Sequence, residues 1–123
     1  MRFYNILLLT STLTYSQINP KNIDIVRDQY GIPHIFAKTD AELAYGLAWA
    51  NAEDDFNTIQ EAYLAGNAML SRHIGLKGAP ADFITQFIGS KELIDEKIGE
   101  ISNDYLKVIS AYAEGLNLSL IHI

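Results

Sequence analysis

The chain contains no cysteine, only three prolines and a single tryptophan in 123 residues. Without cysteine it has no disulfide, no thiolate nucleophile and no Cys-based metal site, and sulfur says nothing about its redox compartment. Positive charge is scarce as well. Nine Lys and Arg stand against fifteen Asp and Glu, a net charge of −6, so the basic footprint that nucleic acid requires is missing. Internal repeats and low-complexity segments are absent. No Gly-x-Ser-x-Gly elbow occurs, and no two histidines stand at zinc-binding spacing. Gly75-Leu76-Lys77-Gly78 lacks both the spacing and the trailing Ser or Thr of a phosphate loop.

What is present suits one small globular domain, with 49% apolar residues. The first residues carry a separate signal. Met1 to Asn5 includes a positive charge, Ile6-Leu7-Leu8-Leu9 and Leu13 form a short apolar stretch, and Thr14 and Ser16 offer small side chains ahead of Gln17. This is the layout of a secretory signal peptide over residues 1–16, and the apolar part is too short to span a bilayer. A periplasmic or secreted location is the expectation, with no membrane association once the signal is removed. A buried N-terminal strand or helix is the alternative.

After a turn at Asn19-Pro20, Ile23, Ile25 and Arg27 alternate with more polar neighbours as in a half-buried strand. Asp28 to Gly31 closes it with a turn in which Gly31 can take positive φ. Pro33 to Ala37 returns as the partner, with Pro33 at a strand start or sheet edge. Thr39 and Glu42 have capping-box spacing and open a helix expected to run from Asp40 to about His73. Its Tyr45, Trp49, Ala52, Phe56, Ile59 and Tyr63 share one face. Gly46 and Gly66 within it read as points of close approach. Pro80 opens a short helix through Phe87, Ser90 caps another to about Ile98, and Ser102 caps a last one. That last helix has Tyr105, Val108, Ile109, Tyr112 and Leu116 as its apolar face. The tail, residues 118–123, breaks the helical pattern.

The run Glu53-Asp54-Asp55 invites a metal reading. Successive helix positions point about 100° apart, however, so these three carboxylates do not converge by themselves. A solvated or ion-paired face fits them better. His34 is a candidate general base, since histidine is the residue type suited to that role, yet no nucleophile is near it in sequence, and a structural histidine bonded to backbone is expected. His73 suits a helix C-terminus, and His122 lies in the tail. No residue is assigned a catalytic, cofactor-binding or metal-binding role.

Ile25-Val26-Arg27-Asp28-Gln29-Tyr30-Gly31-Ile32-Pro33-His34-Ile35, then Thr39-Asp40, Ala44-Tyr45-Gly46, Ala52-Glu53-Asp54 and Ala111-Tyr112-Ala113-Glu114-Gly115-Leu116-Asn117, resemble in order the start of the penicillin acylase family of N-terminal-nucleophile hydrolases. Asn51 and Asp55-Phe56 depart from the pattern. The resemblance implies an α+β fold, a fragment of an αββα sandwich in which a β-hairpin precedes mostly helices. It implies that residues 17–117 are the N-terminal part of an acylase α-chain, and that 118–123 are a non-native tail akin to translated transposon end. The implied activity is hydrolysis of a linear amide between an acyl chain and an amine nucleus, as in a penicillin or an N-acyl-homoserine lactone. The nucleophilic serine would head the second (β) chain of the same precursor. Glu53 and Asp54 would pair with a group in that missing region. No cofactor is expected in the fragment, while a structural calcium in the full-length protein is compatible with the family. The rival from another class is a non-enzymatic periplasmic helical module, and a third option is an inactive acylase homologue.

Overall fold

A computed structural model describes residues 18–122, the last three in backbone alone. The predicted signal peptide lies outside the described residues. A single turn of 3-10 helix at Pro20–Asn22 leads into strand β1, Asp24–Arg27, which pairs antiparallel with β2, Pro33–Phe36. Ile25 faces Ile35 across the ladder and Arg27 faces Pro33. Asp28 shapes the connecting turn. Its Oδ1 accepts the amides of Tyr30 and Ile32 at 2.8 and 3.0 Å, and Gly31 takes φ 82°.

Helix α1, Asp40–Gly66, begins at the expected capping box between Thr39 and Glu42. It is not continuous. Asp55 leaves helical geometry (φ −154°, ψ 72°) and caps the second half, accepting the Thr58 amide at 3.1 Å and the Thr58 hydroxyl at 2.6 Å. Nor does the helix reach His73. It stops at Gly66, where the amides of Asn67, Ala68 and Met69 turn back onto the carbonyls of Tyr63, Ala65 and Leu64. Ala68 there adopts φ 53°. His73 instead sits in the last turn of a separate four-residue helix α2, Ser71–Ile74. A 3-10 turn over Gly75–Gly78 follows.

Helix α3, Ala79–Ile88, opens with Pro80 in its first turn as expected. Gly89, left-handed at φ 68°, ends α3 and starts α4, Ser90–Lys97. Ser90 is therefore the first helical residue rather than the cap. Helix α5, Asn103–His122, follows Ser102, whose Oγ accepts the Tyr105 amide at 3.4 Å. The helix runs on through the stretch where the sequence pattern breaks.

The core lies between α1 and α5 and is made of small residues. Ala48, Ala52, Ala111 and Ser119 are buried around Tyr45. A Cβ on Gly115 would meet the Tyr45 carbonyl oxygen at 2.5 Å and the Ala48 Cβ at 3.0 Å, so only glycine allows the two helices this close. Along α5 the buried stripe is Ala111, Gly115 and Ser119, while Tyr105 and Ile109 of the expected apolar face are exposed. On α1 the aromatic stripe is buried only at Tyr45 and Ala52, and Tyr63 is exposed. Gly115 lies against Tyr45 and Ala48, while Asn51 Nδ2 donates to the Tyr112 hydroxyl at 3.5 Å, so later residues of α1 meet earlier ones of α5 and the two helices run in opposite directions. Gly46 faces the hairpin as a close approach, since a Cβ there would meet Ile35 and Ile23 methyls at 2.8 and 2.9 Å. Gly66 has no such neighbour within 4 Å; it marks an end, not a contact.

Candidate functional site

The densest polar constellation joins β1 to the middle of α1. Arg27 forks onto two carboxylates, with Nη2 at 3.1 Å from Glu53 Oε2 and 2.8 Å from Asp54 Oδ1. Its Nη1 donates to Asp54 Oδ2 at 3.2 Å and to the Gly31 carbonyl at 2.9 Å. The guanidinium thus binds the hairpin turn and the helix at once, and its pKa is raised by Asp54 and Glu53. Trp49 Nε1 donates to the other Glu53 oxygen at 2.9 Å. The acidic run is ion-paired, as the sequence suggests, but the partner is Arg27 of this same chain rather than a group elsewhere. Asp55 faces away into its own capping role. Among the described residues no three His, Cys, Asp or Glu side chains gather as a group that could hold a metal ion.

His34 lies at the edge of this region. Its Nε2 is 3.5 Å from Asp28 Oδ2, so its neighbour is a carboxylate and not the backbone. Asp28 is held below the usual carboxylate range, first by the Ile32 amide, then by Tyr30 and His34. Asp28 is already committed to its turn, so the pair reads as a structural contact rather than a catalytic dyad.

Two further carboxylates, neither singled out in the sequence as a site, act as clamps. Glu42 is buried and accepts from Asn22 Nδ2, from the amides of Lys38 and Thr39, and from the Thr39 hydroxyl, all at 3.1–3.2 Å. The Asn22 bond leads the causes that depress its pKa. Asp82 on α3 is buried and accepts the Leu70 and Ser71 amides at 2.8 Å each, and its pKa is lowered first by a bond from the Ser71 side chain and then by those amides. Thr-x-x-Glu spacing signals the first role of Glu42. Nothing local signals its bond to a residue twenty positions away, or the reach of Asp82 to a turn eleven and twelve positions back. Depressed carboxylates saturated with donors hold structure and are poor proton acceptors at neutral pH.

Two hollows accompany these clamps. One of ≈ 1000 Å³ is lined by the linker at Ile18–Asn22, the start of α1 and α5 from Asn103 to Glu114. The other, ≈ 370 Å³ and mostly apolar, is bounded by Ile23, Ile25, Tyr45, Trp49 and Leu118. The larger one includes Thr39 hydrogen-bonded to Glu42, but that pair is committed to the capping box of α1.

Comparison with known proteins accounts for this arrangement. A family model for penicillin amidase matches residues 22–122, and the chain belongs to that family. Among curated relatives, it is 34% identical over 76 residues to aculeacin-A acylase of Actinoplanes utahensis, covering 62% of this chain and 10% of that protein. It is 27% identical over 101 residues to the acyl-homoserine lactone acylase PvdQ of Pseudomonas putida, covering 76% and 13%. It is 27% identical over 95 residues to penicillin G acylase of Escherichia coli, covering 77% and 11%. The chain thus spans little more than a tenth of the length of these relatives. The thermostable penicillin G acylase from Alcaligenes faecalis superposes with a TM-score of 0.72 at 25% identity, over 81% of this chain and 53% of that one. The hairpin and the helices after it are a fragment of the N-terminal-nucleophile hydrolase fold. Members of the family are amide hydrolases.

Proposed function

We propose that these residues form the N-terminal part of the α-chain of an exported acylase that hydrolyses a linear amide between an acyl chain and an amine-bearing nucleus. Penicillins, N-acyl-homoserine lactones and acylated peptides are the candidate substrates. The observation that carries the reading is the family match over residues 22–122, seen together with polar side chains that are consumed in scaffolding. Arg27, Glu42 and Asp82 each lock one element to another, which is what a supporting arm requires.

In this reading the nucleophile is a serine at the start of a second chain released from the same precursor. Its hydroxyl attacks the amide carbonyl while its own α-amine, with a reference pKa of about 7.7–8.0, takes the proton. The amine product leaves, and water releases the acid from the acyl-enzyme. The present residues contribute hairpin and helices and are inactive alone.

The test starts by reading the gene beyond residue 117 and expressing the complete frame. The expected product is two chains, the second beginning with serine, that release amine from at least one of a panel of penicillin, acyl-homoserine lactone and acyl-peptide amides. Replacing that serine by alanine should abolish release. A frame that stops near residue 123, or a processed protein inert on the whole panel, sinks the proposal.

A further inference from the structure

Helix α3 is amphipathic with its sides reversed. The side meeting the rest of the chain is polar or small. There Asp82 takes the Leu70 and Ser71 amides, and Thr85 Oγ1 donates to the Ala65 carbonyl at 2.9 Å. The outward side carries Phe83, Ile84, Phe87 and Ile88, exposed by 66%, 55%, 81% and 63%. Phe83 and Phe87 stack with ring centroids 6.0 Å apart and planes 18° from parallel, so together they form one contiguous aromatic plate. Past the Gly89 hinge, α4 adds exposed Leu93 and Ile94. A helix ordinarily turns its apolar stripe inward. Contiguous apolar surface left outside marks a place where something else packs, and each phenylalanine hides roughly 150–250 Å² when it is covered.

Charge and length narrow the occupant. The only ionisable residue of α3 is the buried Asp82, so nothing on the plate would steer it to an anionic lipid surface. The chain carries a net −6, which sets a second copy against like charge. Meanwhile this chain spans 10–14% of the length of its curated relatives, leaving a large body of polypeptide to be placed. We infer that the outward face of α3, extended by Leu93 and Ile94, is a packing face for the part of the full-length protein that follows residue 117, which lays an apolar element over the Phe83–Phe87 plate. The inference rests on the family reading given above.

The test uses the full-length protein with Phe87→p-benzoylphenylalanine, and Tyr30→p-benzoylphenylalanine as a control at a residue 79% exposed on the hairpin turn. Irradiation should join residue 87 to peptides that follow residue 117 in the full-length protein, identified by mass spectrometry. Links to a second copy or to lipid, or a pattern no different from the Tyr30 control, overturn it. If the substituted protein does not fold, hydroxyl-radical footprinting of the unmodified protein replaces it. Phe83 and Phe87 should then be protected several-fold relative to Tyr30, and equal protection overturns the inference. The two readings fail separately. A protein without amidase activity but with residue 87 linked downstream loses only the catalytic reading. An active amidase with a bare plate loses only this one.

Discussion

Glu42 does more than its place in a capping box suggests. It gathers Asn22, Lys38 and Thr39 onto the start of α1 and so ties the linker before β1 to the helix. Because these bonds favour the carboxylate, its folded pKa lies below the ordinary value. The unfolded chain then takes up the proton first as pH falls. The stabilisation is complete above the ordinary glutamate range and drains away as pH drops through the depressed folded value. Glu42→Gln should therefore lower the melting temperature at neutral pH and flatten its acid-side fall, measured as melts across pH. The glycines give a second contrast. Gly115→Ala drives a Cβ into the Tyr45 carbonyl oxygen, a backbone atom that cannot step aside, and should cost about 1–3 kcal/mol. Gly46→Ala meets only isoleucine methyls and regains about 1 kcal/mol of helix propensity, so its cost should be the smaller in urea melts. Thr39 and Glu42 were legible as a pair because capping is local. The Asn22 bond and the Asp28 neighbour of His34 were not, because each depends on how the hairpin settles.

At the scale of elements, Arg27 is the pin between the hairpin and α1. Two strands alone are marginal in water, so the hairpin depends on this fork and on the Ile23, Ile25 and Ile35 contacts at Gly46. Arg27→Ala should speed amide exchange across residues 24–36 while leaving the middle of α5 unchanged. Arg27→Lys should restore little, since a point charge cannot fork onto two carboxylates and a carbonyl together. An outcome in which α5 loosens equally would show that the fork holds more than the hairpin. Strand alternation, the turn glycine and the proline-led start of α3 were all legible in sequence. The end of α1 was not. Gly66 is tolerated inside many helices, and what stops this one is Ala68 in a left-handed conformation with three amides folded back. The break at Asp55 was likewise hidden, because an aspartate in a run of acids reads as surface until Thr58 is seen hydrogen-bonded to it.

For the molecule as a whole, the crossing of α1 and α5 is the organising contact. Large side chains drew attention in the sequence, yet the helices meet through Ala48, Ala111, Gly115 and Ser119, which carry little hydrophobic signal. Closeness here comes from what is missing at Cβ, and that is readable only once both helices are in place. Ala48→Val and Gly115→Ala act on one contact, so their costs should not add. A double-mutant cycle should show a coupling of about 0.5–3 kcal/mol, and strict additivity would place the two residues on independent surfaces. This crossing has a further consequence. Residues 67–102 tie α1 to α5 through short helical links jointed at Gly75 and Gly89. That strap sets no register where the two rods meet, so a residue or two added beside Gly89 alters slack in the strap and leaves the grip between the rods as it was.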